Sequence, residues 1–195
     1  MEYTSQKGGD EHMIEIRWHG RGGQGVVTAS EILASALLDE GKYIQAFPEF
    51  GPERMGAPIR AFTRIDSKRI DIHSQIYEPD FVIVLDPTLL GPKIVDGLKE
   101  KGGLIVNSTE PRESVRKKTG FKGAIFVFDA SKIAREIIGR DLTNTSMLGA
   151  LVKVSKLTKI ENVEKKLRES LGGKLSTAAI DGNIRAMRKS YEVVA

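Results

Sequence analysis

Met13-Ile-Glu-Ile-Arg-Trp18-His19-Gly20-Arg21-Gly22-Gly23-Gln24-Gly25-Val26 is the stretch that decides the fold. Its first six residues alternate between apolar and polar, the period of a strand. The alternation stops at His19-Gly20, and residues 20–25 form a glycine-rich loop. Beyond it, Val27, Ile32, Leu33, Ala36 and Leu37 recur at helical spacing. The spacing predicts a helix over residues 26–40, ended by Gly41 in the left-handed conformation that glycine tolerates best. A strand, a glycine turn and a helix in succession open an α/β sheet.

The rest of the chain repeats the theme. Residues 43–47 read as a short strand, and residues 48–58, with three prolines and two glycines, as an irregular loop. Residues 59–65 and 69–73 alternate on either side of Asp66-Ser67-Lys68, which predicts a β-hairpin. Phe81-Val-Ile-Val-Leu85 is continuously apolar, as in a strand buried on both faces, and a helix is expected after it as far as Lys101. Residues 103–107 and 124–128 are further buried strands; residues 111–119 and 131–138 are helices, the first of them basic. From Asn144 onward the pattern is helical, with Met147, Leu148, Leu151 and Val154 on one face, then Val163, Leu167 and Leu171 on another, and a terminal helix over residues 176–191. The expected class is α/β, a three-layer α/β/α domain with a mostly parallel, mixed central sheet. Residues 13–195 are expected to form this single domain, behind a polar, flexible N-terminal tail of residues 1–12.

Composition narrows the function. The net charge of +4, from 30 basic and 26 acidic residues, is too small to imply nucleic acid and is compatible with an acidic ligand or partner. There is no cysteine in 195 residues, so this chain offers no disulfide, no cysteine nucleophile and no thiolate for zinc or an iron–sulfur cluster. No apolar run approaches the ~18 residues needed to span a bilayer, and residues 1–12 lack the apolar core of a signal peptide. A cytoplasmic protein without membrane contact is expected.

The loop Gly20-Arg21-Gly22-Gly23-Gln24-Gly25 carries the most chemistry. Glycines there let a ligand approach the main-chain N–H groups. The helix behind offers unpaired N–H groups and a partial positive charge, which favour an anion, and Arg21 adds a cationic fork. Gly20, Gly22 and Gly25 also satisfy Gly-x-Gly-x-x-Gly, the dinucleotide fingerprint. That fingerprint wants an acid after the second strand, ~20 residues on, where only Glu49 stands, beside Pro48. Three readings stay open: a dinucleotide site, a tight turn without ligand, and a contact with a phosphate or a partner subunit. No Gly-Lys-Ser/Thr follows, so the loop is not a P-loop.

Other candidates are positional. Asp86 and Thr88 follow the strand at residues 81–85, where ligand contacts gather in parallel sheets, but both also suit a helix cap. Asn107-Ser108-Thr109 stands in the same kind of position, and Asn144-Thr145-Ser146 looks like a cap before Met147. Phe47, Phe50 and Met55, with Glu53, sit in or beside a proline-restrained loop and suit burial against a partner, or folding back onto the domain's own core. Arg54 and Arg60 are cations for an anion or an interface. His19 reads as a structural histidine rather than a proton donor, and Arg112, Arg116, Lys117, Lys118 and Lys122 as a solvated face. No catalytic set and no metal-ligand spacing can be assembled.

Five segments in order carry a resemblance: Gly20-Arg-Gly-Gly-Gln-Gly25, Phe47-Pro-Glu-Phe-Gly-Pro-Glu-Arg-Met-Gly-Ala-Pro58, Ile59-Arg-Ala-Phe-Thr-Arg64, Val84-Leu-Asp-Pro-Thr-Leu-Leu90 and Asn144-Thr-Ser-Met-Leu-Gly-Ala150. Together they resemble the gamma subunits of pyruvate and related 2-oxoacid:ferredoxin oxidoreductases, over nearly the whole chain. Many members of that family have Arg-Gly-Gly where this sequence has Arg54-Met55-Gly56, so its loop is less permissive. The resemblance implies a subunit of an enzyme that converts pyruvate, coenzyme A (CoA) and oxidised ferredoxin to acetyl-CoA, carbon dioxide and reduced ferredoxin. It implies alpha, beta and delta partner subunits bearing thiamine diphosphate (TPP), Mg and [4Fe-4S] clusters, with ferredoxin reached through the complex. It further implies that CoA touches this chain; loop position and residue type, not the resemblance, offer residues 20–25 with Arg54, Arg60, Asp86 and Thr88 as its contacts. The family's thiamine-binding pattern is missing, since Asp181-Gly-Asn183 is only a fragment of it. The rival readings are a free-standing dinucleotide-binding enzyme and a purely structural subunit.

Overall fold

The computed structural model describes residues 13–49 and 56–194. Six strands, β1 (Ile14–Arg21), β2 (Tyr43–Glu49), β3 (Pro58–Asp66), β4 (Phe81–Val84), β5 (Gly103–Asn107) and β6 (Ala124–Phe128), form one sheet in the order β2-β3-β1-β4-β5-β6. β3 runs antiparallel to both of its neighbours, β1 and β2. The pairings β1–β4, β4–β5 and β5–β6 are parallel. The helices are α1 (Val26–Asp39), α2 (Arg112–Thr119), α3 (Ala130–Ile138), α4 (Asn144–Ser155), α5 (Ile160–Leu171) and α6 (Thr177–Val193).

The sheet has apolar cores on both faces. On one, Ile16, Trp18, Ile83 and Ile105 meet buried residues of α1, α4, α5 and α6, with Ala130 of α3. On the other, Val82, Val84, Leu104 and Val106 meet Ile94, Leu98, Val115 of α2 and Phe121. The α/β/α layering expected from the sequence is therefore present, with a thinner second layer. Within the first layer α6 clamps α4: a Cβ on Gly149 would lie 2.1 Å from the Met187 carbonyl oxygen, and Thr145 donates to Asn183 at 3.2 Å.

Three local expectations are corrected. Residues 69–73 form no strand, and the hairpin partner of β3 is β2. β3 is already flanked on both edges, so the alternating stretch after it cannot pair with β3 as a hairpin arm. It crosses the sheet face instead, where Arg64 donates to the carbonyls of Ser74 and Gln75 and Gln45 to that of Ile70. The helix expected after β4 is two 3₁₀ turns, Pro87–Leu89 and Pro92–Val95, because Pro92 cannot continue a helix and Gly97 takes a positive φ of 71°. The loop expected over residues 48–58 is shorter. Pro48 and Glu49 complete β2, an edge strand where a missing N–H is tolerated, and Pro58 begins β3. The expected tail, residues 1–12, lies outside the described residues. Among those described, no helix is long and apolar enough to cross a membrane.

The antiparallel half has an unusual face. Glu15, Arg17 and His19 of β1 stand opposite Arg64, Phe62 and Arg60 of β3, which in turn stand opposite Gln45, Phe47 and Glu49 of β2. Arg17 and Arg64 are 4% and 1% exposed. Arg64 bonds Glu15 at 2.8 Å and Gln45 at 3.2 Å and lies 5.5 Å over the Phe47 ring. Arg17 donates to the Ile94 and Asp96 carbonyls and, through Nε, to His19 Nε2 at 3.0 Å.

Candidate functional site

The glycine loop lies at the carboxyl end of β1, beside the carboxyl end of β4. α1, which follows β1, packs on one face of the sheet, and the 3₁₀ turns that follow β4 pack on the other. Ligands of open α/β sheets bind in crevices opened by such a divergence. Pairing with β3 carries β1 to Arg21, three residues beyond the break expected at Trp18, so the turn itself is residues 22–25. Gly20 therefore stands in the strand. A Cβ there would meet Val26 Cγ2 at 2.5 Å, which is why the strand and the start of α1 can lie so close. Gly23 and Gly25 have φ of 94° and 73°.

Arg21, expected as a cation for the ligand, makes contacts within the chain, although its side chain stays 34% exposed. It donates to the Gly56 carbonyl at 3.1 Å and to Thr88 Oγ1 at 2.8 Å, and its Nε lies 3.1 Å from Asp86 Oδ2. Asp86 also accepts from Gln24 Nε2 at 2.9 Å and from the Thr88 N–H and hydroxyl, while Gln24 Oε1 accepts the Arg21 N–H at 2.7 Å. Burial would raise the Asp86 pKa; the bonds from Thr88 and Gln24 and the Arg21 charge outweigh it and hold the carboxyl below its usual value. Backbone bonds between Gly22 and residues 56–57 tie the same loop to the start of β3. Gly20, Arg21, Gly22, Gln24, Asp86 and Thr88 thus meet in one network. Asp86 caps its 3₁₀ turn, as a cap reading of the sequence allows.

The remaining candidates divide. Arg60 pairs with Glu49 on the charged face and is not part of the Asp86 network. Phe47 packs 5.2 Å from Phe62, within its own domain. Phe50, Glu53, Arg54 and Met55 lie outside the described residues. His19 is 7% exposed, and burial, then the charges of Arg17 and Arg60, lower its pKa to about 3. It is a neutral acceptor for Arg17, a structural role. Asn107 bonds the Leu85 carbonyl and Ser131, tying β5 to β4 and α3, and Ser108 and Thr109 line a shallow hollow beside it with Arg112 and Lys132. In the basic cluster, Arg116 donates to the Phe121 and Gly123 carbonyls and Lys118 pairs with Glu110.

The feature that residue types alone do not disclose is at the helix ends. α2 and α5 carry Glu113 and Glu161 in their first turns, and α3 and α6 are capped by Asp129 and Ser176. α1 and α4 have neither a side-chain cap nor an acid in the first turn. These two N-termini meet: a Cβ on Gly25 would lie 2.4 Å from Asn144 Nδ2. Asn144, expected to cap α4, does not; Thr143 holds the cap position and the Asn144 side chain is buried against the glycine turn.

The family model for pyruvate ferredoxin/flavodoxin oxidoreductase matches residues 15–193. The chain belongs to this family. It is 53% identical to the pyruvate synthase subunit PorC of Thermotoga maritima over 181 residues, 93% of this chain and 94% of the relative. It is 51% identical to the common gamma subunit of the pyruvate/ketoisovalerate oxidoreductases of Pyrococcus furiosus, over 92% of this chain and 96% of the relative. The crystal structure of the Thermotoga maritima pyruvate oxidoreductase subunit superposes with a TM-score of 0.86 at 48% identity, covering 95% of this chain and 98% of that one. A 2-oxoglutarate:ferredoxin oxidoreductase of Magnetococcus marinus shares the fold with a TM-score of 0.71 at 19% identity; the match covers 94% of this chain but 31% of that longer one.

Proposed function

We propose that this chain is the gamma subunit of a multi-subunit, cytoplasmic pyruvate:ferredoxin oxidoreductase, and that it holds the phosphate-bearing part of CoA at the N-terminus of α1. One observation carries the reading. The glycine turn, in the crevice between β1 and β4, opens onto a helix whose first N–H groups have no side-chain cap and no acid beside them. Such an end is a ready anion site. Because Asp86 neutralises Arg21, the backbone N–H groups supply the attraction, and Arg21, Gln24, Asp86 and Thr88 hold their geometry. Support for CoA comes from the Magnetococcus marinus relative, whose structure was determined with 2-oxoglutarate, coenzyme A and succinyl-CoA bound.

The residues present do not fit the redox groups of the reaction. Iron–sulfur clusters are held chiefly by cysteine thiolates, and this sequence has none. The clusters, TPP and Mg are assigned to the alpha, beta and delta partners, and electrons reach ferredoxin through them. Arg54 and the side chains of Phe50, Glu53 and Met55, together with the Arg60–Glu49 pair at the end of the β2–β3 hairpin, are assigned to the partner contact.

Hydrogen exchange of the assembled enzyme with and without CoA tests the reading. Protection of residues 22–28 is expected; unchanged exchange there would place CoA elsewhere. In the same assembly Arg21→Ala is expected to weaken CoA binding about tenfold by loosening the turn, the loss of one charge-assisted contact. Tight binding of NAD, NADP or FAD by the chain alone would favour a free-standing dinucleotide enzyme.

A further inference from the structure

β2 is an edge strand, and its register fixes which of its backbone groups face outward. The Glu15 and His19 carbonyls accept from the N–H groups of Asp80 and Leu85, so they point to β4. By alternation Ile16 and Trp18 bond Thr63 and Ala61 of β3, while Arg60, Phe62 and Arg64 of β3 bond Glu49, Phe47 and Gln45 of β2. Ile44, Ala46 and Pro48 therefore turn their backbone groups away from the sheet. Pro48 has no N–H to leave unpaired, but the N–H and C=O groups of Ile44 and Ala46 find no partner among the described residues. Both residues are half-buried, and between Tyr43 and Phe47 neither a charge nor a bulge guards the edge. Large apolar side chains stand exposed around it. Tyr43, 49% exposed, shares a face with Gln45 and Phe47, and Ile72, 42% exposed, stands two residues past the Ile70 carbonyl that Gln45 holds. On the other face α1 lies over β2 and β3. Its Leu38, 62% exposed, is about 100° round the helix from Asp39, which pairs with Lys166 of α5, and so turns away from α5.

We propose that β2 pairs antiparallel with β2 of a second copy of this chain, about a two-fold axis at Gln45, and so joins the two sheets into one. Self-complementarity selects a second copy as the occupant. With Gln45 opposite its own mate, Ile44 of each chain stands opposite Ala46 of the other, and every outward N–H and C=O of these residues is paired. The same register sets Tyr43 opposite Phe47 on one face, an aromatic pair that the axis repeats. On the other face, strands about 4.8 Å apart, with α1 over β2 and β3, set the two α1 axes about 10 Å apart, the distance at which helices pack. A shift of one residue either way fails. Centring on Ile44 sets Ala46 opposite Lys42, whose N–H is already held by the Leu37 carbonyl, and centring on Ala46 sets Ile44 opposite Pro48, which has no N–H to give.

Sedimentation of the full chain and thiol cross-linking in the assembled enzyme test the pairing. The full chain is expected to sediment as a dimer at micromolar concentration. Ala46→Pro removes an N–H that no internal bond uses and should raise the dimer dissociation constant about thirtyfold, because the axis makes the loss two hydrogen bonds. Tyr43→Lys keeps the backbone intact and should raise it about tenfold by removing the repeated aromatic pair. The sequence has no cysteine, so Gln45→Cys supplies a single thiol per chain. The two introduced thiols then face each other from Cα atoms about 4.5 Å apart, within disulfide reach. Mild oxidation of the assembled enzyme should join its gamma chains in pairs through that residue. A full chain that stays monomeric, or a dimer that neither Ala46→Pro nor Tyr43→Lys weakens, overturns the inference. So does an assembled enzyme whose introduced thiols stay uncoupled, which places another subunit on this edge. None of these outcomes depends on where CoA binds.

Discussion

The two halves of the sheet solve burial differently. In the parallel half, β4 and β5 are apolar on both faces, and every residue from Phe81 to Val84 is 0% exposed. In the antiparallel half one face is apolar, and the other carries Arg17, His19 and Arg64 almost as deeply. The first half gains from area removed from water. The second needs each charge matched, because a buried charge without its partner is strongly unfavourable. That matching is specific to register: Glu15, Arg64 and Gln45 face one another only if β1, β3 and β2 pair as they do. The charged face therefore fixes the hairpin whose end reaches the glycine turn, and the apolar half supplies the platform beneath Asp86.

The largest test of this contrast is Ile83→Ala, which opens a cavity at a wholly buried position. It is expected to lower stability by about 4 kcal/mol, with a fall in melting temperature of about 10 °C. Arg64→Ala should cost about 3 kcal/mol by stranding Glu15 and two carbonyls, and Arg64→Met distinctly less. If the methionine variant were as damaged as Ile83→Ala, shape rather than charge matching would govern both halves.

The acid response separates the halves as well. His19 has a folded pKa of about 3 against an ordinary value of 6.5. The unfolded chain therefore binds the extra proton first, and stability should fall as pH drops below 6.5 towards 3, by up to about 1.4 kcal/mol per unit. His19→Gln should flatten that slope in denaturant titrations between pH 4.5 and 6.5. Asp86 acts only below this window: its folded pKa is depressed, so its contribution is present above its ordinary value of 3.8 and is lost in stronger acid. Asp86→Asn should cost about 1–2 kcal/mol and weaken CoA binding in the assembly. The smallest effect is expected from Arg60→Ala, below about 1 kcal/mol in thermal denaturation, since that side chain is 43% exposed.

Much of the parallel half was legible in the sequence, because a continuous apolar run such as residues 103–107 has one good reading. The glycine turn was legible too, since a run of glycines must break a strand before a helix, although pairing with β3 shortens it from residues 20–25 to residues 22–25. What failed was non-local. The alternation at residues 69–73 is a fair strand, but both edges of β3 are occupied, so the hairpin it suggests cannot form. The buried arginines at 17 and 64 look like exposed strand residues until their acids and carbonyls are brought in from distant segments. Asn144 reads as a cap because local spacing shows the helix start and not the turn, more than a hundred residues earlier, against which its side chain rests.

The clamp of α6 on α4 has a consequence for biosynthesis. The glycine turn leaves the ribosome early, but the helix that floors it is held at Gly149 and Thr145 by residues 183 and 187. A nascent chain can therefore complete the packing around the glycine turn only after α6 has emerged, so the order of translation sets when this end of the sheet is finished.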